Sequence, residues 1–248
     1  MRILFLATFL TLTSSAFSQK IKFKISNIED TTLNLVRYFG KGLYYADTAE
    51  MKNGVIEFDG SKQKPGSFAL FLPGEQLLEF VYNNEDIYIE STPRNPMPNA
   101  KVKKSEENKV FLAYVSFIGK ERAQIKILST EMDTLSADSK RYQVLKKMIE
   151  DKNQGVLDYQ KKLVKDNPDL LISKIINMSM DVDIPETPVD ENGDVIDSNF
   201  RFNYYQAHYF DNVNFNDDRL VRTPIFHTKL QNYFDKTCLL YTSDAADE

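Results

Sequence analysis

The sequence is poor in the residues that most catalytic and metal sites require. Its 248 residues include one cysteine, two histidines and no tryptophan. A single cysteine excludes a disulfide framework, a Cys-x-x-Cys redox pair and a metal site built from several thiolates. Two histidines are too few for a histidine-rich metal centre.

The chain also lacks an excess of positive charge. It carries 31 Lys+Arg against 36 Asp+Glu, a formal net charge of -5. Nucleic acids and anionic membrane surfaces select basic patches, so neither is expected as a partner. The hydrophobic content of 42% and the aromatic content of 12% fit an ordinary globular fold rather than a disordered chain.

The first 18 residues have the pattern of a secretory signal peptide. Arg2 supplies a minimal positive region, residues 3–12 form an apolar stretch, and Ala16 and Ser18 occupy the -3 and -1 positions before Gln19. The apolar stretch is too short for a membrane span, which needs ~20 residues, and no second run approaches that length. We therefore expect an exported protein of the periplasm or cell envelope, with no membrane span.

Residues 19–92 read as a domain made only of strands. Ile21, Phe23 and Ile25 alternate with lysines, which is the period of a half-buried strand. Asn53-Gly54 is a hairpin signal between two such segments. Strands are predicted at residues 20–26, 32–39, 43–51, 55–58, 67–72, 77–82 and 87–90. Short strands at this spacing predict an antiparallel β-sandwich or open barrel.

The hydrophobic period changes to that of helices in residues 105–237. Residues 93–104 contain three prolines and are predicted to be an extended linker. Helices are predicted from Ser105 to residue 132, over 136–165, over 168–180 after Asn167-Pro168, and over 225–234. The sequence therefore predicts an α+β chain, with a β-sandwich or open barrel followed by an α-helical domain.

Residues 190–194 form an acidic loop that could be interpreted as a calcium-binding site. With Gly193 in the sixth place of an EF-hand loop, the first and twelfth ligands would be Pro188 and Asn199. Neither residue can supply the carboxylate that the position requires. An acidic solvated turn, with Asn192-Gly193 at its tip, is the preferred interpretation.

His208, Asp211 and His227 form the other group with metal-ligand side chains. His208 and Asp211 are three residues apart and would share one face of a helix. Both histidines stand among aromatic residues, which favours a structural role with one hydrogen bond to each ring. We expect neither a metal nor a cofactor.

The last eleven residues, 238–248, do not continue the preceding helical pattern. They resemble translated adapter sequence at the end of a truncated gene. We therefore expect residues 238–248 to be non-native, Cys238 to carry no function, and the natural protein to continue past Thr237.

Two stretches resemble a known family of exported Gram-negative bacterial proteins. The first is Asp47-Thr48, Asn53-Gly54 and Phe58-Asp59-Gly60, similar to a D-T…x-G-x-x-x-F-x-G pattern. The second is HYFDNVNF at 208–215 followed by DRLVRTPIF at 218–226, similar to a H-Y-F-D-N…R-L-L-R-T-P block. In that family a β-rich domain of unknown function and a helical region precede a thioredoxin-like domain of the TlpA/ResA, AhpC/TSA type.

The resemblance implies a parent protein with thiol-disulfide oxidoreductase activity. The redox pair of the family belongs to the thioredoxin-like domain, which would begin after the present end, so no catalytic residue is transferred to this chain. Its expected partners are that missing domain and client proteins.

The second stretch is predicted to be structural. Arg219 and Arg222 are expected to reach acidic partners such as Asp211 and Asp217, and Thr223 is expected to cap the helix that begins at Pro224. The residues assigned to this structural block are His208, Tyr209, Phe210, Asp211, Arg219, Arg222, Thr223 and Pro224. Its aromatic residues, which we expect to be buried, are Tyr204, Tyr205, Tyr209, Phe210 and Phe215.

Three functions remain open at this point. The first is a non-catalytic accessory region of a thioredoxin-like protein, and the second is a free-standing carbohydrate- or peptide-binding module. The third, a hydrolase with dispersed carboxylates, has no recognisable constellation of residues to support it. The aromatic candidates for a binding face are Tyr38, Phe39, Tyr44, Tyr45 and Tyr82.

Overall fold

The computed structural model describes residues 19–238, and within them eight strands and five α-helices. The strands are β1 (Lys20–Ile25), β2 (Thr32–Phe39), β3 (Gly42–Glu50), β4 (Val55–Asp59), β5 (Gly66–Leu72), β6 (Gln76–Tyr82), β7 (Ile87–Ser91) and β8 (Lys101–Lys104). The predicted signal peptide and residues 239–248 of the predicted tail lie outside the described residues.

The alternating pattern of the sequence sets which face of each strand is buried. In β1 the side chains of Ile21, Phe23 and Ile25 are at most 1% exposed, with lysines between them. The Asn53-Gly54 turn has positive φ angles of 55° and 72°, as this type of hairpin requires. The Asp30 carboxylate accepts both backbone N–H groups of the turn, at 2.8 and 3.0 Å.

The strands form two four-stranded sheets. The first has the order β4-β1-β7-β8 and the second the order β3-β2-β5-β6. All neighbouring strands are antiparallel except β1 and β7, which are parallel. The two sheets enclose a core in which Phe23 meets Phe58 and Phe80 edge to face. The predicted α+β class is confirmed, and of the two β alternatives the strands form a sandwich.

The stretch 93–104 differs from the extended linker that its prolines predicted. Its last part is β8, which pairs with β7, and Met97, Ala100 and Val102 pack against the sandwich core. Proline is disfavoured in a central strand, but it is accommodated in a loop that leads into an edge strand. This stretch therefore completes the sandwich.

The helices are α1 (Glu106–Met132), α2 (Lys140–Asp166), α3 (Leu171–Ser179), α4 (Phe200–His208) and α5 (Pro224–Asn232). A 3₁₀ turn at Leu220–Arg222 precedes α5, and a π-helical turn at Tyr233–Cys238 follows it. The third helix begins later than Asn167-Pro168 predicted, because Asn167 ends α2 by donating its N–H to the Leu163 carbonyl at 3.0 Å.

The helical region packs on the outer face of the second sheet. Val81 of β6 belongs to a second apolar cluster with Leu171, Ile172 and Ile176 of α3 and with Leu220. Val81 therefore links the two parts of the chain. Within residues 19–238 no helix is both long and apolar enough to cross a membrane.

Candidate functional site

The side chain of Asn108 closes the outer edge of the second sheet. Its Oδ1 accepts the N–H of Val81 at 2.8 Å, and its Nδ2 donates to the carbonyl of Val81 at 2.7 Å. Asn108 is fully buried. Its amide therefore satisfies both backbone groups of one β6 residue, as a neighbouring strand would.

Ser105 holds the start of α1 against this edge. Its side-chain oxygen accepts the backbone N–H of Asn108 at 2.9 Å, which is the helix cap that the sequence predicted. The hydroxyl donates to Glu85, and burial raises the pKa of the Glu85 carboxyl above its usual value. Ser105 has a φ angle of 137°, in the positive region that favours glycine.

Glu107, on the same turn, caps a helix other than its own. One carboxylate oxygen accepts the N–H of Leu171 at 2.7 Å, and the other accepts the N–H of Ile172 at 2.9 Å. The carboxylate also accepts Nδ2 of Asn83 at 2.7 Å. A negative charge at a helix N-terminus is favourable, which explains why a carboxylate that is only 2% exposed is tolerated.

Arg219 extends these contacts to the loop before α5. It donates to Asn83 Oδ1 at 3.0 Å and pairs with Asp217 through two bonds of 2.7 and 2.6 Å. The hydrogen bond from Arg219 lowers the pKa of the Asp217 carboxyl and raises that of the guanidinium. Asn83, Ser105, Glu107, Asn108 and Arg219 together form a set of polar contacts that we call the seam.

Arg222 anchors the 3₁₀ turn to β5. Its Nε donates to the Pro65 carbonyl at 2.6 Å, and its guanidinium lies 3.2 Å from Asp218. A Cβ atom on Gly66 would lie 2.8 Å from both the Cβ and the carbonyl oxygen of Arg222. Of the acidic partners predicted for the two arginines, Asp217 is reached by Arg219, whereas Asp211 binds neither of them.

Thr223 does not cap α5 with its side chain, contrary to the prediction. It occupies the position before Pro224, but its hydroxyl donates to the Leu220 carbonyl at 2.7 Å. Thr223 is fully buried. Its hydroxyl therefore closes the preceding turn.

His208 is bonded within its own turn, to Asp211 at 2.7 Å. Tyr209 is buried, donates to the Lys229 carbonyl at 3.1 Å and packs against Phe210. Phe215 was predicted to be buried with them but is 60% exposed, because it stands in a loop and meets the cluster only at ring edges. The structural role of this block stays a prediction.

The structure does not bring His227 together with His208 and Asp211. In the part of the chain that it describes, no group of three or more His, Cys, Asp or Glu side chains could hold a metal ion. The Nε2 atom of His227 is buried without a hydrogen-bond partner. The loop at 190–194 is a small hairpin in which the Asp190 carboxylate accepts the N–H groups of Asn192 and Asp194, at 2.8 and 2.9 Å.

A cavity of about 510 Å³ lies between the outer face of the second sheet and helices α1 and α3; we call it the trough. Its apolar lining comes from both parts of the chain and includes Phe80, Phe111, Val115, Ile118, Ile175 and Ile225. Its polar groups include the hydrogen-bonded pair Tyr38 and Glu79, the pair Gln160 and Tyr114 at 2.9 Å, and Arg122. Burial, followed by the bond to Glu79, raises the pKa of Tyr38 above its usual value.

A second cavity, of about 470 Å³, adjoins the trough, and we call it the mouth. The two share Tyr38, Ser67 and Phe68 as lining residues. The mouth adds the cations Arg37, Lys64 and Arg222 and the aromatic residues Phe39 and Tyr44. Positive charge and aromatic surface therefore meet at one end of an apolar channel.

The aromatic residues that the sequence analysis named as candidates for a binding face differ in their exposure. Tyr82 is fully buried and donates to the Gly60 carbonyl at 2.7 Å, which makes it a core residue. Phe39 and Tyr44 are each 52% exposed, and Tyr45 is 72% exposed. Phe39 and Tyr44 lie in the mouth, whereas Tyr45 does not line it.

Sequence reasoning identified Ser105, Arg219 and Arg222 but missed other residues that build the seam and the mouth. Glu107 and Asn108 were predicted only as part of the helix that begins at Ser105, and Arg37 and Lys64 were not singled out. The signal in the sequence for Asn108 was its position three residues after Ser105, at a helix start. That signal does not show that the side chain is buried, because a buried polar side chain can be recognised only once its partners are known.

Comparison with known proteins finds that the sandwich is similar to a domain family without an assigned function. Residues 19–111 match the model of a domain of unknown function, DUF4369. The matched region covers all eight strands and the first turn of α1, and so includes Glu107 and Asn108 of the seam. No curated protein and no solved structure matches the chain.

Proposed function

We propose that residues 19–237 are the non-catalytic accessory region of an exported thioredoxin-like thiol-disulfide oxidoreductase. In this proposal the chain holds a redox domain, encoded further downstream, against client proteins in the periplasm or cell envelope. The resemblance of the 208–226 block to exported thioredoxin-like proteins supports the parentage.

The seam is the observation that carries the proposal. Glu107 is bonded at once to α3 and to Asn83 of the sandwich, and Arg219 reaches the same asparagine. Buried polar groups with all their partners in place favour one arrangement of the parts they join. A rigid union of sandwich and helices suits a spacer that must fix the distance between a redox centre and a bound client.

The gene downstream of the codon for Thr237 tests the parentage directly. We expect a Cys-x-x-Cys pair within about 100 residues, the usual size of one domain. A stop codon near that position in an intact gene would refute the proposal.

An enzymatic assay tests the non-catalytic role. The chain should not reduce insulin disulfides, because exchange through a resolving pair needs two thiols and the sequence has one. Turnover that persists in Cys238→Ser would contradict this role.

A free-standing binding module is the second candidate, and the mouth favours it. The rings of Phe39 and Tyr44 are half exposed beside cations, and aromatic side chains with one apolar and one wet side are enriched at binding interfaces. Two results together would favour this alternative over the accessory role: binding of the protein to a glycan array, and an intact gene that ends near the codon for Thr237.

A further inference from the structure

The trough and the mouth are too large to be packing defects. One water molecule takes up about 30 Å³ in the liquid, whereas the volume of the trough is about 510 Å³ and that of the mouth about 470 Å³. Each lies within the usual range of ligand sites, which is roughly 300–1,000 Å³. Because they share Tyr38, Ser67 and Phe68, one elongated ligand can occupy both.

The lining of the trough fits a polypeptide better than a hydrocarbon chain. Besides its apolar residues, the trough is lined by hydrogen-bonding groups on Tyr38, Glu79, Gln160 and Arg122. Tyr38 is already bonded to Glu79 and Gln160 to Tyr114, but Arg122 has no partner within the described residues, and a hydrocarbon chain would offer it none. A peptide in extended conformation places apolar side chains on the walls and offers N–H and C=O groups to the polar side chains.

The positive charge of the mouth favours a negatively charged group at one end of that peptide. Arg222 is fixed by Asp218 and by the Pro65 carbonyl, whereas Arg37 and Lys64 make no ion pair within the described residues. Three cations therefore face one cavity of a chain whose formal charge is -5. A carboxylate is the complementary group, and arginine binds it with two parallel hydrogen bonds.

We infer that the trough and mouth bind an extended apolar segment of a polypeptide, with a carboxylate of that segment seated among Arg37, Lys64 and Arg222. The inference rests on the client-positioning part of the proposed function and names the kind of client segment that is held. The binding test needs only this chain, so its failure is distinguishable from the absence of a downstream redox domain.

The probe is a fluorescein-labelled peptide of about eight residues, apolar except for two aspartates at its C-terminal end. We expect fluorescence anisotropy to show saturable binding, at least tenfold tighter than for a peptide with asparagines in their place. A C-terminal amide of each peptide separates a side-chain carboxylate from the terminal one. In the double variant Arg37→Gln, Lys64→Gln the aspartate peptide should lose at least tenfold in affinity and the asparagine peptide should not.

Two glycines supply a matched pair of variants for the trough. Gly119 of α1 lines the trough, and Gly155 of α2 does not; an added Cβ meets nothing within 4 Å at either position. Gly119→Leu adds a side chain to the lining of the trough and should weaken binding at least tenfold, whereas Gly155→Leu should bind like the wild type. Both replacements favour the helix, so loss of folding is not expected to confuse the result.

Three results would overturn the inference. The first is equal binding of the aspartate and asparagine peptides, and the second is unchanged binding in Gly119→Leu. The third is an absence of peptide binding, whether or not an acidic oligosaccharide such as oligogalacturonate binds instead.

Discussion

The side-chain amide of Asn108 forms two hydrogen bonds with the backbone of Val81: its Oδ1 accepts one from the N–H at 2.8 Å, and its Nδ2 donates one to the carbonyl at 2.7 Å. This relationship closes an edge of the second sheet and places α1 on that sheet. It also positions Glu107, one residue earlier, to cap α3.

Asn108→Ala should lower the free energy of unfolding by about 3 kcal/mol, because it leaves two buried backbone groups of Val81 without partners. Urea denaturation measures the change. Asn153→Ala is the matched control, since Asn153 is an exposed helical asparagine, and it should change stability by less than ~0.5 kcal/mol. Equal effects of the two substitutions would contradict the role of the seam.

Asp217 should make stability depend on acidic pH. The hydrogen bond from Arg219 lowers the pKa of the Asp217 carboxyl in the folded state, so its contribution is complete above the unfolded value of roughly 3.9 and is lost as the pH falls through the folded pKa. The stability difference between wild type and Asp217→Asn should be constant from about pH 7 to pH 5 and shrink below about pH 4. Urea midpoints across this range measure it, and a difference that grows on acidification would refute the argument.

Thr223→Ala should cost about 1 kcal/mol because it removes the buried hydrogen bond to the Leu220 carbonyl. Thr223→Ser keeps the hydroxyl and should retain most of the stability. Thr228 is the control: its hydroxyl makes a similar bond to the Pro224 carbonyl at 2.9 Å, but it is exposed. Thermal denaturation of Thr228→Ala should therefore resemble the wild type.

Tyr209→Ala should cost about 3–5 kcal/mol, since it removes a ring that is 6% exposed and packs against Tyr205, Phe210 and Tyr233. Phe215→Ala, at a ring that is 60% exposed, should cost less than ~1 kcal/mol. Chemical denaturation of the two variants compares them. Similar losses would mean that Phe215 contributes more packing than its exposure indicates.

Zinc and EDTA should leave the melting temperature unchanged. His208 is bonded to Asp211, and within residues 19–238 no group of three ligand-type side chains meets. A bound metal would stabilise the folded state and raise the melting temperature. A shift of several degrees that EDTA reverses and that His208→Ala removes would overturn the structural interpretation of this histidine.

The sequence by itself determined the elements whose causes lie within a few residues. The alternation of Ile21, Phe23 and Ile25 specifies β1, Asn53-Gly54 specifies a hairpin, and Ser105 specifies the start of α1. Each depends on local backbone preference and on the period of apolar side chains, which the chain displays directly.

Tertiary structure alone decided β8, the parallel pairing of β1 with β7, and the seam, trough and mouth. The partners of Glu107 on α3 are 64 and 65 residues away in the sequence, and Pro65, which accepts a hydrogen bond from Arg222, is 157 residues away from it. Their contacts depend on how sheets and helices pack, and no local pattern encodes that distance. The same packing turns Asn108, an ordinary polar residue in the sequence, into a substitute for a neighbouring strand, because only a folded chain brings an unpaired edge to it.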